Sequence, residues 1–232
     1  MDLSENCSLQ SRILYQNSAC IAVNKLIGEA VEGQADLPLL IKDYLRCGFA
    51  EAVHRLDVPV TGCSLFALNS HALEYLNAAF ANKQESVIKK YWAIIEKPKI
   101  KFPESGDLTH WIETNTRINK SFAYNEEAPG RKKAVLKYKI KGEGKNYLFA
   151  EVQLLTGRHH QIRSQFAALD IHIKGDLKYG ARRSEKDGGI RLHARSLSFT
   201  NPLDKEKRIN VTADPPLLDN LWTAFKNYSR EQ

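Results

Sequence analysis

Polar and titratable side chains stand in the segment His54-Arg55-Leu56-Asp57, where a core strand would carry apolar ones. In an extended backbone, Arg55 and Asp57 lie on one face and His54 and Leu56 on the other. The segment therefore places a carboxylate beside a cation, just before Pro59. A local ion pair at a strand end, without a catalytic role, is the alternative interpretation, since such pairs are common.

A second segment, Thr156-Gly157-Arg158-His159-His160-Gln161-Ile162-Arg163, concentrates cationic and titratable groups at the start of a predicted helix. Because a helix N-terminus favours anions, these groups could bind a phosphate or a carboxylate. Neighbouring histidines point about 100° apart on a helix, which is poor spacing for sharing a metal, so no metal site is expected. A solvated basic helix face is the alternative.

A third segment, Lys89-Lys90-Tyr91, lies in a predicted strand, where a tyrosine ordinarily serves as packing material. What favours chemistry is the presence of all three segments in one chain.

The composition of the chain limits the class of protein to which these segments can belong. The chain has 232 residues, 34 Lys+Arg against 27 Asp+Glu, a formal charge of +7 and 43% hydrophobic residues, with a pI near 9.1. These values are typical of a globular protein, and they argue against disorder, collagen-like repetition and a membrane-embedded protein. The positive charge favours a polyanionic partner without identifying it. Scattered cysteines, no leader-like start and no long apolar run predict a cytoplasmic protein.

Hydrophobic periodicity predicts more strands than helices, without strict βαβ alternation, and therefore an α+β fold with a mixed, largely antiparallel central sheet and flanking helices. Residues 1–11 are expected to be flexible, and residues 12–232 to form a single domain. The predicted strands are 20–23, 63–68, 87–95, 134–140, 147–155, 192–199 and 209–213. Four helices are predicted, the first at 37–45 and the last after Pro216. The second is capped by Ser70 and has Leu73, Leu76 and Phe80 on its buried face. The third is capped by Thr156 and runs to Ala168, with Ile162, Phe166 and Leu169 buried. Residues 97–130 and 174–190 are predicted to be mobile loops around a site.

Five motifs, in this order, resemble those of the RluA family of RNA pseudouridine synthases. They are HRLD followed by x-x-[ST]-G (54–62), K-x-Y (89–91), T-G-R-x-H-Q-I-R (156–163), I-x-G-D-x-x-Y-G (173–180), and L-H-A with a following N-P (192–194 and 201–202). The resemblance covers nearly the whole chain and implies the pseudouridine synthase catalytic fold. The family usually reads K-P-x-G where this chain has Lys25-Leu26-Ile27-Gly28.

The resemblance implies that the chain is an isomerase that needs no cofactor and turns specific uridines in structured tRNA or rRNA into pseudouridine. Asp57 would be the catalytic aspartate, acting at the sugar C1′, at uracil C6, or in deprotonation at C2′; the sequence leaves these routes open. Arg163 would pair with Asp57 and keep it ionised. Tyr91 would stack on the target base and serve in proton transfer.

The resemblance also implies that Arg55 fills the space of the flipped-out nucleotide. His54 is expected to be structural. The remaining residues expected to contact the substrate are Leu56, Ile162, Arg158, His160, Lys89 and Lys90.

The resemblance does not extend to the S4-like RNA-binding domain that many relatives carry. The basic surface of the catalytic domain is therefore expected to hold the RNA. We expect a monomer that needs no membrane or obligate protein partner. The alternatives are a catalytically silent RNA-binding protein that retains the fold, and a metal-dependent hydrolase, for which no carboxylate cluster is evident.

Overall fold

The computed structural model describes residues 8–32, 36–81, 87–99 and 101–230. The chain forms two compact units, Met1–Lys89 with Ala194–Pro216, and Lys90–His193 with Leu217–Gln232. Of the segment expected to be flexible, residues 1–7 lie outside the described residues. The described part contains a buried Leu9 and the start of a 3-10 helix, Gln10–Arg12.

The first unit is built on a sheet in which the order of neighbouring strands is β1-β2-β4-β10, with β11 beside β10 and β3 beside β4. Its elements are β1 (Ile13–Gln16), β2 (Cys20–Lys25), α1 (Asp36–Leu45), β3 (Glu51–Ala52), β4 (Thr61–Ala67), α2 (Ser70–Ala81), the start of β5 (Val87–Glu96), most of β10 (Leu192–Asn201), and β11 (Asp204–Thr212). The strand pairs β1–β2, β2–β4, β3–β4 and β10–β11 are antiparallel.

Strand β4 and helix α2 form the centre of the first unit. Every residue of β4 is buried, which explains its continuous run of small and apolar side chains. Helix α2 buries Ala72 and Leu76, which lie one turn apart on the same face. Its first turn is capped by Asn69, whose Oδ1 accepts the backbone N–H of Ala72 at 2.8 Å, so the prediction of a Ser70 cap is wrong.

The second unit has the strand order β5-β9-β8-β6-β7. Its elements are the rest of β5, β6 (Ser105–Asn115), β7 (Lys120–Tyr124), β8 (Lys132–Glu143), β9 (Tyr147–Leu154), α3 (Gln161–Ala167), the 3-10 helix Leu177–Tyr179, the start of β10, and α4 (Asn220–Arg230). Strands β6, β7, β8 and β9 pair in antiparallel fashion. Helix α3 packs on β6 and β7, while a second core forms around Trp92, Phe149, Trp222 and Phe225.

The prediction of an α+β fold with a largely antiparallel sheet is confirmed. The prediction that residues 97–130 form an irregular loop is wrong, because this stretch contains the long hairpin of β6 and β7. Helix α3 begins at Gln161 and not after Thr156, and Leu169 is 39% exposed beyond its end, so both predictions for this helix are wrong. Among the described residues, no helix is long and apolar enough to span a membrane.

Candidate active site

The backbone of the Asp57 loop is fixed from several directions within the first unit. The N–H of Val60 donates to the carbonyl of Asp57 at 2.9 Å, which closes a tight turn. The N–H of Gly28 donates to the carbonyl of Val58 at 3.0 Å and ties the turn after β2 to this loop. The Asp57 side chain itself is half-buried. A half-buried carboxylate thus stands on a loop whose backbone is held by hydrogen bonds.

Lys25, at the end of β2, anchors the same loop with a buried ammonium group. Its side chain is 0% exposed, and Nζ donates to the carbonyls of Leu26, Val58 and Val60 at 2.8, 3.1 and 2.7 Å. Burial lowers the pKa of Lys25 to about 8, while the negative charges of Glu29 and Asp57 raise it. The three donors of the ammonium group are therefore used to hold backbone carbonyls, two of them within the Asp57 loop.

His54 holds the other side of the loop as a neutral imidazole. Its Nε2 accepts the N–H of Leu65 at 3.3 Å, which leaves the proton on Nδ1, 3.4 Å from the carbonyl of Arg55. The ring stacks on Phe80 with 5.3 Å between centroids. Burial, followed by the charge of Lys89, lowers the pKa of His54 to about 4. These contacts are those of a structural histidine, as the sequence suggested.

The two residues between His54 and Asp57 differ in exposure. Arg55 is exposed, and its Nε lies 3.6 Å from Glu32 in a pair whose side chains are 64% and 54% exposed. Leu56 is buried. Leu56 therefore faces inward and Arg55 outward, while His54 and Asp57 are both half-buried.

A glycine after the loop allows a close backbone approach. Gly62 has a φ of +113°, and a Cβ at this position would lie 2.3 Å from the carbonyl oxygen of Ala194. Any other residue would clash with this backbone, which gives the Thr-Gly pair of the first motif a packing reason.

The lysines and the tyrosine of β5 occupy different environments. Lys89 lies with Nζ 5.6 Å from the Phe80 ring centroid, and burial lowers its pKa. In the second unit, Lys90 donates to Glu151 at 3.3 Å, and Tyr91 is buried, with 6% exposure.

Arg163, on α3, forms a buried bidentate ion pair with Asp176. Its Nε and Nη2 donate to the two carboxylate oxygens at 2.7 and 2.8 Å, and the side chains are 5% and 1% exposed. The guanidinium carbon lies 4.9 Å from the ring centroid of Tyr179. Asp176 and Tyr179 both belong to the fourth motif, yet residue types and spacing assigned no role to either of them. Lys25 was missed too, although a lysine at the end of the apolar strand β2 was a signal.

The turn before α3 is held by side-chain bonds to β8 and β7. Gln161 accepts the Thr156 hydroxyl at 2.8 Å and the N–H of Arg158 at 2.9 Å. Arg158 Nε donates to the carbonyl of Lys133 at 3.0 Å. Ile162, in the first turn of α3, is buried. The segment is thus a built structure, in contrast to a loosely solvated basic face.

His160 adopts a left-handed backbone with a φ of +50° immediately before α3. Its buried ring stacks on His159 at 3.8 Å, and its Nδ1 lies 2.9 Å from the Tyr179 hydroxyl. The Nδ1 of His159 lies 2.8 Å from the hydroxyl of Ser121 on β7. The network connects the second segment, the fourth motif and the β6–β7 hairpin. Across the described part of the chain, no group of three or more His, Cys, Asp or Glu side chains is arranged to hold a metal ion.

Comparison with known proteins gives a consistent result. A family model described as RNA pseudouridylate synthase matches residues 22–168. The chain is 32% identical to tRNA pseudouridine synthase C of Haemophilus ducreyi over 93% of this chain and 94% of that protein. It is 28% identical to ribosomal large subunit pseudouridine synthase C of Vibrio parahaemolyticus over 88% of this chain and 66% of that protein.

The fold is similar to the solved structure of human RNA Pseudouridylate Synthase Domain Containing 4, with a TM-score of 0.74 and 23% identity over 98% of this chain and 96% of that one. At this identity, the structural likeness concerns the fold alone. The family model covers more than half of the chain, and the motifs that carry Asp57, Tyr91 and Arg163 lie within it. The chain therefore belongs to the RNA pseudouridine synthase family, RluA type, and is an isomerase that acts on RNA.

Proposed function

We propose that this chain converts specific uridines in structured tRNA or rRNA to pseudouridine, with Asp57 as the essential catalytic residue. The observation that carries the proposal is the anchoring of the Asp57 loop, since Lys25 and His54 hold its backbone from two sides. Catalysis depends on such fixed placement of a reacting group. The names of the two bacterial relatives support tRNA and rRNA as the two substrate classes to test.

The reaction is balanced within the nucleotide itself. The bond from N1 of uracil to C1′ breaks, the base turns, and a bond from C5 to C1′ forms. The proton leaves C5, and N1 takes up a proton, so that no electrons are gained or lost overall. No cofactor is needed for this isomerisation. The ionised carboxylate of Asp57 acts covalently at C1′ or at C6, or it removes the C2′ proton.

Arg163 and Tyr91 complete the catalytic proposal through the family resemblance. Arg163 pairs with Asp57 in the reacting complex and orients it, and the bidentate pair with Asp176 supports this role because it fixes the plane of the guanidinium. Tyr91 stacks on the target base and takes part in proton transfer. Ile162 and Leu56 form part of the apolar wall around the uracil.

Arg55 replaces the target nucleotide in the RNA stack after the base has flipped out. The exposure of its side chain and its 3.6 Å contact with Glu32 support this role, because an exposed ion pair is worth ~1 kcal/mol or less and is easily exchanged. Unstacking the uridine costs a few kcal/mol, which contacts with the RNA must offset.

The basic surface of the chain holds the RNA backbone. Arg158, Lys89 and Lys90 contribute to this surface, and their contacts with phosphates are expected to be sensitive to salt. His160, which the sequence also placed among the substrate contacts, has a buried ring bonded to Tyr179 and is not part of this surface. The proposal includes a cytoplasmic monomer that acts without an obligate protein partner.

Mapping of pseudouridine in cellular RNA tests the proposed function. RNA from cells that lack the protein is compared with RNA from cells supplied with the wild-type chain or with Asp57→Asn. We expect one or more positions to carry pseudouridine in the wild-type sample alone. Identical maps in all three samples would refute the proposal.

The same experiment addresses the alternative of a catalytically silent RNA-binding protein. In that case, Asp57→Asn and the wild type would bind RNA equally and neither would change the map. A map restored by both chains would instead remove Asp57 from the mechanism.

A further inference from the structure

One face of the three neighbouring strands β8, β6 and β7 in the second unit carries aromatic rings and cations, together with the carboxylate of Glu113. The register places Trp111 opposite both Tyr124 and Lys133, so these three side chains form a row across three strands. The next row pairs Phe122 with Glu113, whose carboxylate lies 3.6 Å from Nε of Arg131. The lysines are therefore the cations of this face that are proposed to neutralise phosphates. We call this the outer face; its residues for the argument are Trp111, Lys120, Phe122, Tyr124, Arg131 and Lys133.

The opposite face of the same strands is closed by helix α3. Its residues Ile112, Ser121 and Leu136 are buried. Gln165 of α3 donates to the carbonyl of Leu108 at 3.1 Å and so fixes the helix against β6. The outer face, by contrast, is partly open, with Phe122 38% exposed.

Each ring of the outer face has a cation above it. The guanidinium carbon of Arg131 lies 3.6 Å from the ring centroid of Tyr124. Lys120 Nζ lies 5.5 Å from the centroid of Phe122 and 5.1 Å from that of Tyr179. Lys133 Nζ lies 6.0 Å from the centroid of Trp111. Rings that stack bases beside cations that neutralise phosphates are the two components of a surface for single-stranded nucleic acid.

We infer that the outer face binds an unpaired stretch of the RNA substrate by stacking bases on these rings. The inference rests on the proposed function for the identity of the nucleic acid. A protein partner fits less well, because the cores of protein interfaces are depleted of lysine. A purely double-stranded partner also fits less well, since paired bases cannot stack on a side chain.

The position of Arg158 connects the outer face with the predicted substrate-binding segment. Arg158 donates to the carbonyl of Lys133, so both cations lie at the same end of β8. An RNA strand that contacts Arg158 can therefore continue over Trp111 without leaving the basic surface. The inferred role is to bind RNA beside the target, and not to act on the base.

Tryptophan fluorescence provides a direct test. The chain has three tryptophans, and Trp92 and Trp222 are buried, with 3% and 4% exposure. Quenching by an added oligouridylate must therefore arise mainly at Trp111, where a base stacks. We expect quenching in the wild type and its loss in Trp111→Phe, while binding of the same oligouridylate is followed independently by fluorescence anisotropy.

Two further variants measure the two components of binding. Phe122→Ala is expected to weaken oligouridylate binding by about 5- to 160-fold, the range for one lost stacking ring. Lys133→Ala is expected to reduce the slope of log K against log salt by about 0.7, the value for one phosphate contact on a single strand. Lys205→Ala is the matched control, because Lys205 also lies over an aromatic ring, 5.7 Å from the Tyr75 centroid, but belongs to the first unit and is not a residue of the outer face.

The outcomes separate this inference from the proposed function. If Phe122→Ala and Lys133→Ala raise KM for the full RNA while Lys205→Ala does not, the inference is supported. If their binding and KM equal those of the wild type, or if duplex RNA competes as well as the single strand, the inference is overturned and the proposed function stands. If the wild type binds and is quenched but forms no pseudouridine, the outer face is supported and the proposed function fails.

Discussion

Acidification tests how the loop that carries Asp57 is held. His54 accepts the Leu65 N–H at Nε2 and so must be neutral in the folded chain. Protonation would place a second donor opposite that N–H and would break the bond. The perturbation is a change from about pH 7.5 to about pH 5, which spans the range in which an unfolded histidine gains its proton.

The magnitude follows from the two pKa values of His54, 6.5 in the unfolded chain and about 4 in the folded one. Between these values the unfolded chain binds more protons, so the free energy of unfolding falls as the pH falls. The contribution of the neutral His54 ring to the free energy of unfolding is fully present above pH 6.5 and is lost progressively toward pH 4. At about pH 5 the loss from His54 alone is ~2 kcal/mol.

Urea denaturation at the two pH values measures this loss. His54→Gln removes the titrating group, so the wild type is expected to lose ~2 kcal/mol more than this variant over the same pH change. His71→Gln is the matched control, because His71 is exposed on α2. The free energy of unfolding of this variant should fall by as much as that of the wild type over the same pH change. Equal losses in the wild type and in His54→Gln would refute the reasoning that His54 is buried as a neutral ring.

Two substitutions test the packing around the candidate site by urea denaturation. Asp176→Asn leaves the buried guanidinium of Arg163 without its charged partner and is expected to lower the free energy of unfolding by about 3–5 kcal/mol. The control is Asp170→Asn, at a side chain that is 98% exposed, which should change the free energy of unfolding by less than about 0.5 kcal/mol. Gly62→Ala is expected to cost roughly 3 kcal/mol or more, because the added Cβ meets backbone and φ is positive. Gly48→Ala, where a Cβ meets nothing within 4 Å, should cost far less. Equal costs within either pair would contradict the contacts described.

Strands with apolar runs could be predicted from the sequence, whereas the hairpin of β6 and β7, which carries many polar residues, could not. The buried strand β4 has a continuous run of small and apolar side chains, and its prediction is confirmed. Strands β6 and β7 expose one face, and their charged residues resemble those of a loop. The start of α3 was predicted too early because Thr156 has the side chain of a helix cap, while its hydroxyl bonds to Gln161. Local patterns do not reveal such tertiary partners.

The segments of the candidate site could be found from residue types, but their connections could not. The motifs single out Asp57 and Arg163 as candidates, whereas the buried pair of Arg163 with Asp176 depends on a loop folding back onto α3. Lys25 is a similar case, because its three carbonyl partners come from two separate turns. Long-range pairs of this kind are set by the packed fold and not by spacing along the chain.

Release of tritium from RNA labelled at C5 of uridine is the most direct test of the central claim. Formation of the C5–C1′ bond expels the hydrogen at C5, so released tritium counts the product. The purified chain is expected to release tritium from tRNA or rRNA, and Asp57→Asn is expected to release none while binding the same RNA. Asp204→Asn, at an exposed position on β11, should behave as the wild type. Release by Asp57→Asn at the wild-type rate would contradict the account.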